Sequence, residues 1–316
     1  MSKRKIKLSD FNLMAVMSIV FTVLAAGLYL KTGNIFYIYN FSIIGSSLML
    51  GMGLWPLLPQ RYKPWARRLS QILIGGYMFF GLGMGLIYLG FGDITPENMQ
   101  IEGFWFWLLA GMSAASVLHY SIAKILGPFI FNRAWCGWAC WTTAVLDLLP
   151  WKKSPGRMPV YWGYFRYLHF LMVALIVTVL VKHFNYGLAD TLGIVKIKEI
   201  DSMNLTVYSS MWHIPELWWF LVGNIGYYGL GILLAFSNHD NRAFCKYFCP
   251  IVGFFKIGSR FSIIKIGTRK EKCTDCKACE QVCPMDIKLT EYIKSDRRIT
   301  SSECIICKTC TTACPH

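Results

Sequence analysis

The sequence predicts an all-α polytopic membrane bundle of about six transmembrane helices with two short half-helices, followed by a small C-terminal α+β domain. Three observations predict it. Apolar runs of spanning length recur as far as Phe236. The loops between them alternate between rich and poor in Lys and Arg. Eight of the 12 cysteines crowd into the stretch from Cys273 to Cys314. The composition agrees, since 55% of the 316 residues are hydrophobic and only 16% are charged, a balance typical of membrane proteins.

The basic stretch Ser2 to Lys7 precedes the first span, Phe11 to Leu30. Leu24-Ala25-Ala26-Gly27 resembles a signal-peptide cleavage site, but the apolar run is longer than a signal core and reads as a retained helix. The second span is Ile35 to Leu58. Its exit loop, Gln60 to Ser70, carries Arg61, Lys63, Arg67 and Arg68. The third span is Gln71 to Phe91, and the loop Gly92 to Gly103 holds Asp93, Glu97 and Glu102 with no Lys or Arg. The fourth span, Phe104 to Phe131, leads into a segment with Arg133, Lys152, Lys153, Arg157 and Arg166. The fifth is Phe165 to Lys182, the mixed loop His183 to Ser210 follows, and the sixth is Met211 to Phe236. Positive charge marks the cytoplasmic side. The N-terminus, the loops after spans two and four, and the C-terminal region are therefore expected in the cytoplasm, with the chain in the inner (cytoplasmic) membrane. Trp105, Trp107, Trp212, Trp218 and Trp219 read as an interfacial belt. Trp141 to Leu149 and Ile251 to Ile264 are apolar but too short to span, and read as the half-helices. Lys256 to Lys272, with Arg260, Lys265, Arg269 and Lys270, reads as a basic linker against anionic headgroups.

The C-terminal cysteines explain the second part of the fold. They read Cys273-x2-Cys276-x2-Cys279-x3-Cys283-Pro284 and Cys304-x2-Cys307-x2-Cys310-x3-Cys314-Pro315. Each run has the bacterial ferredoxin spacing for a [4Fe–4S] cluster, whose fourth ligand comes from the other run. Cys273, Cys276, Cys279 and Cys314 are expected to hold one cluster, and Cys304, Cys307, Cys310 and Cys283 the other. Paired C-x2-C runs also serve zinc, but two complete runs of four, each closed by Cys-Pro, favour iron and sulfide. The expected division is a transmembrane domain over 1–264 and a cytoplasmic 2[4Fe–4S] ferredoxin-like domain over 265–316.

The net charge of +15 does not point to nucleic acid. The positive charge flanks apolar segments, as membrane topology requires, and no recognition helix appears. Thiolate-held clusters use eight cysteines, and the other four form two C-x3-C pairs, which leaves none for a secreted disulfide scaffold.

Those four cysteines sit in an internal repeat. Asn132-Arg133-Ala134-Trp135-Cys136-Gly137-Trp138-Ala139-Cys140 recurs as Asn241-Arg242-Ala243-Phe244-Cys245-Lys246-Tyr247-Phe248-Cys249. Both copies follow a span that ends in the cytoplasm, so the repeat is parallel. On a helix, i and i+4 share a face. Pro250 suits a first helical turn, and a helix N-terminus together with Arg133 and Arg242 would lower the thiol pKa. Three readings stand side by side: a third metal cofactor held between the repeats, a pair of redox dithiols, or small buried hydrophobes. The near-identical repetition speaks against the last.

With these residues in view, the sequence resembles the membrane-bound polyferredoxin family typified by NapH and MauN, with relatives among NosR-type proteins. The second pair keeps the family's C-x3-C-P form, whereas Trp141 follows Cys140 in the first. The resemblance implies an electron-transfer component between a quinone pool and a redox protein or reductase complex, as in anaerobic respiration, with quinol dehydrogenase activity left open. A quinone contact by His169, near Arg166, stands beside the preferred reading of a polar residue satisfied within the bundle. A haem between His119 and His169 is disfavoured, because they lie about 18 Å and about 6 Å from the cytoplasmic ends of their helices. Asp147 could handle a proton or face the cytosol. Two rivals to the relay are a maturation factor or metal/thiol reductase working through the C-x3-C pairs, and a scaffold with structural clusters.

Overall fold

The computed structural model describes residues 6–87, 97–109, 115–151, 153, 155–184 and 213–315. Four helices are long and apolar enough to cross a membrane: Leu8–Thr32, Phe36–Leu57, Val160–Lys182 and Leu217–Asn238. Only 11% to 22% of their apolar windows is buried within the protein. The rest points outward, a surface suited to lipid rather than water. They correspond to α1 (Asn12–Thr32), α2 (Phe36–Leu57), α9 (Phe165–Lys182) and α10 (His213–Asn238). Gly33, at φ 69, ends α1 in the left-handed conformation that glycine adopts freely.

The other two expected spans differ from the sequence reading. The third starts at Lys63 rather than Gln71. Helix α3 (Lys63–Gly76) continues into a π-helical stretch, Tyr77–Gly83. Arg67 and Arg68, expected in a cytoplasmic loop, therefore lie on a helix. A proline in the first turn suits this early start, because no N–H partner is needed there. The fourth begins at Ile101. It comprises α4 (Ile101–Leu109), α5 (Ala115–Tyr120), a π-helical stretch Ser121–Leu126 and α6 (Gly127–Phe131). Its 110–114 segment, the first part of the expected loop around Asp93, nearly all of the loop after span five, and Trp212 lie outside the described residues. Of the expected tryptophan belt, Trp107 is buried instead, and Trp105 donates to Thr178 Oγ1 at 3.0 Å.

Each repeat copy opens a short helix at its alanine, α7 (Ala134–Trp138) and α11 (Ala243–Tyr247). Each is followed by a second short helix, α8 (Trp141–Leu146) and α12 (Val252–Arg260). The basic linker is corrected at its start, since Lys256 belongs to α12 and approaches Glu303 at 3.4 Å. The C-terminal region contributes α13 (Ala278–Gln281), α14 (Leu289–Lys294) and α15 (Thr309–Ala313).

No strand occurs among the described residues, so the expected α+β character of the C-terminal region is absent. Two extended segments do touch: Ile299 N donates to Ile266 O at 2.9 Å, and Thr268 Oγ1 to Arg297 O at 3.0 Å. That is too little pairing for a ladder. The core of this region, with Met285, Ile287, Leu289, Ile299 and Ile305, also includes Cys136 and Phe255. The cysteine-rich region thus packs directly on the short helices of the bundle.

Candidate redox centre

The two C-terminal runs share an unusual backbone. Asp275 and Lys277 have φ of 56° and 56°, and Ile306 and Lys308, at the same positions of the second run, have 49° and 57°. Left-handed non-glycine residues cost about 1–3 kcal/mol each, and more at β-branched Ile306. Left-handed residues occur in turns that point successive backbone N–H groups inward, a concave arrangement that binds anions such as iron–sulfur clusters. Cys283, Cys304, Cys307 and Cys310 line one pocket with Ile266, Met285 and Leu289. Cys314 lies close enough to Cys279 to act on its charge. The proximity pattern suits crossed fourth ligands. Among the described residues, no three His, Cys, Asp or Glu side chains crowd closely enough to surround a single metal ion. A cubane spreads its thiolates around a four-iron cage, and the residues present fit that group. Cys314→Ser is expected to perturb the EPR signal of the Cys273/Cys276/Cys279 cluster. Loss confined to the Cys304 cluster would refute the crossing.

The four remaining cysteines, Cys136, Cys140, Cys245 and Cys249, line one cavity, together with Arg133, Lys124, Trp141, Tyr227 and Pro250. The i, i+4 reasoning is corrected in its details. Helix α7 ends at Trp138 and α11 at Tyr247, so each pair straddles a helix end. Both ends are built alike. Ala139 N and Cys140 N both donate to Trp135 O, at 3.0 and 2.9 Å, and Phe248 N and Cys249 N both donate to Phe244 O, at 2.9 Å each. The expected lowering of the thiol pKa is also corrected. Burial pushes the Cys136 thiol up and that of Cys245 to about 12, outweighing the pull of Arg133 and Arg242. Thiols in this setting ionise when a cation replaces their protons.

The arginines of the repeat each make a buried ion pair. Arg242 grips Asp147 with two bonds of 2.7 Å, Nε to Oδ1 and Nη2 to Oδ2, and its Nη1 donates to Cys136 O at 2.9 Å. Arg67 Nη2 donates to Asp147 Oδ2 at 2.9 Å, and its Nη1 to Gly137 O at 2.5 Å. Burial alone would raise the Asp147 carboxyl, but Arg242 and Arg67 hold it well below the ordinary carboxylate range. Asp147 is therefore neither cytosolic nor a free proton carrier. Arg133 pairs with Glu303, and Arg166 Nη1 donates to the same carboxylate at 3.1 Å. Arg166 also donates to Lys246 O, so two of its nitrogens are engaged by the protein. On Arg133, Nε and Nη2 remain buried without a partner among the described residues, as do both side-chain polar atoms of Gln100. Both residues line the four-cysteine cavity. Orphaned polar groups beside four thiols fit a bound, negatively charged group.

The sequence reading missed Lys124. It is buried in the π-helical stretch, bonds to Met99 O, and lies over Tyr120, Trp135 and Trp141 at 4.5, 5.5 and 5.2 Å. A lone lysine in an apolar run was the available signal, because intramembrane charges are costly and tend to mark function. His119 binds Glu97 at 2.8 Å, and His169 Nδ1 lies 2.8 Å from Phe248 O. Each thus has one ring nitrogen held by a neighbour within the bundle.

The contact between the two sets of cysteines is close. A Cβ on Gly137 would lie 2.3 Å from Ile305 O, so only glycine fits there. Trp138 Nε1 donates to Ile306 O at 3.0 Å. The first C-x3-C turn thus rests on the loop between Cys304 and Cys307.

Comparisons with known proteins agree with this arrangement. A 4Fe–4S dicluster domain model matches residues 265–315, and a 4Fe–4S binding domain model matches twice, at 113–157 and 225–269, over the two repeat copies. The chain is 28% identical over 232 residues to uncharacterized protein MJ0749 of Methanocaldococcus jannaschii, covering 70% of this chain and 77% of that protein. It is 25% identical over 220 residues to the putative electron transport protein YccM of Escherichia coli K12, covering 66% and 55%. It is 23% identical over 268 residues to the ferredoxin-type protein NapH of Escherichia coli K12, covering 78% and 85%. Ferredoxin-type MauN proteins match as well. No solved structure matches. With two sets of matched 4Fe–4S domains and apolar membrane helices, the chain is similar to the NapH- and MauN-type ferredoxin proteins.

Proposed function

We propose that this membrane-associated, ferredoxin-type electron-transport protein relays single electrons between the two C-terminal clusters and a quinone pool, by way of a third metal centre at Cys136, Cys140, Cys245 and Cys249. The observation that carries the reading is the shared core in which Cys136 packs with Cys283, Cys304 and Cys307. Bound clusters would supply the one-electron chemistry. The chain's own residues ligate them, exclude water and hold the two sites together. In this reading 1–264 is the transmembrane domain, with six passes, and 265–316 is the cluster domain. Both termini face the cytoplasm across the inner membrane, and the electrons pass on to a redox partner or reductase complex. On the quinone side His169 is a candidate, since its Nε2 has no hydrogen bond among the described residues.

Quinol oxidation releases two electrons and two protons, and one-electron centres accept the electrons singly. In inverted membrane vesicles, a short-chain quinol is expected to reduce the clusters and membrane-impermeant ferricyanide to reoxidise them. Right-side-out vesicles should shield the clusters from ferricyanide. Clusters that quinol cannot reduce and quinone cannot oxidise would defeat the relay. Iron and sulfide counts that account for two clusters only, with a dithiol titration at the membrane pairs, would favour the thiol-reductase alternative.

A further inference from the structure

The two repeat copies are offset by a constant 109 positions, from Asn132 to Asn241. The offset pairs Arg133 with Arg242, Gly137 with Lys246, and Asp147 with Lys256. The ion pairs follow the same symmetry. Arg67 donates to the carbonyl of Gly137, and Arg166 donates to the carbonyl of Lys246, the corresponding position. Arg67 and Arg242 share the carboxylate of Asp147, whereas Arg166 and Arg133 share that of Glu303. The second half of the bundle carries a lysine where the first carries its acid. That acid arrives from the C-terminal region, from the residue next to Cys304. Lys256 and Arg157 themselves approach Glu303, at 3.4 and 3.6 Å.

We propose that Glu303 is the docking residue of the cluster region. It fills the place in the second repeat that Asp147 fills in the first, and so holds the Cys304 loop over the four-cysteine cavity. The asymmetry has a physical consequence. Asp147 and its arginines all belong to the bundle, so that cluster of charges survives movement of the C-terminal region. Arg133 is fully buried, and without Glu303 it and Arg166 lose their shared counter-charge, which strongly disfavours separation. Lys246 adds a second tie, to Asp286. Glu303 touches no substrate and is a positioning residue. Its importance for electron flow rests on the relay reading, but the docking does not.

The test is hydrogen–deuterium exchange of the cluster-loaded, full-length protein in nanodiscs, read at backbone amides 304–308 and 136–140. Glu303→Gln is expected to speed exchange there by about tenfold or more, as for loss of one charge-assisted hydrogen bond, with iron content unchanged. The double variant Glu303→Gln/Lys256→Asp returns an acid to the position equivalent to Asp147. It is expected to recover the thermal midpoint of the bundle while exchange stays fast. Unchanged exchange in Glu303→Gln would overturn the proposal. So would a double variant that restores slow exchange, since charge balance alone would then suffice. If docking behaves as expected and quinol still fails to reduce the clusters, the relay falls and the docking stands.

Discussion

Cys245→Ser is expected to stop electron exchange between quinol or quinone and the C-terminal clusters, leaving only the background rate seen with no protein. Cys245 is 4% exposed and shares its cavity with Cys136, Cys140 and Cys249. Serine keeps the size but not the soft, ionisable sulfur that binds iron. The eight C-terminal cysteines belong to other elements, so their clusters should load normally and give unchanged EPR signals under dithionite. The measurement is stopped-flow reduction by quinol beside dithionite reduction of the same sample. A rate equal to wild type in the quadruple serine variant would reduce these residues to packing. Loss of the dithionite signals as well would mean that the substitution acts on folding.

Asp147→Asn is expected to destabilise the bundle by about 3–5 kcal/mol, the usual cost of removing one partner from a buried ion pair. Asparagine leaves Arg67 and Arg242 facing each other without a counter-charge, and both are buried. The effect should appear as a lower unfolding midpoint and a lower folded yield in detergent, with partial recovery in Asp147→Glu. A midpoint equal to wild type would show that water replaces the carboxylate. The pH dependence has a definite sign. The folded Asp147 carboxyl lies below its unfolded value. Its contribution is therefore complete above about pH 4, the ordinary unfolded carboxylate value, and is lost as the pH falls from there toward the folded value. Acidification within the range from pH 8 to pH 5 should leave it intact.

The sequence makes some features legible and hides others, for physical reasons. Helices α1, α2, α9 and α10 announce themselves through length and uniform apolarity. The cluster runs and the repeat are visible as spacing, which needs no tertiary information. The start of α3 is hidden because Arg67 looks like an interface marker until its partner, 80 residues away, is known. Its burial depends on Asp147, and nothing local encodes that. Arg133 and Arg242 suggest thiol activation by proximity, whereas the fold commits each to a distant carboxylate. Lys124 was legible in principle as a lone charge in an apolar run. Its aromatic neighbours come from three different elements. The missing strands follow from the short runs between cysteines, where backbone turns around the ligands take precedence over pairing.

The left-handed residues Asp275, Lys277, Ile306 and Lys308 also bear on biogenesis. A newly made chain has no reason to keep Ile306 in that conformation before its prosthetic group arrives. Relaxation there would withdraw the carbonyl that the Trp138 indole uses and loosen the fit against Gly137. An unloaded chain would then display an uncovered apolar face on α7, a surface open to chaperones and proteases. Insertion of iron and sulfide would close it, so maturation and surveillance would read the same few residues.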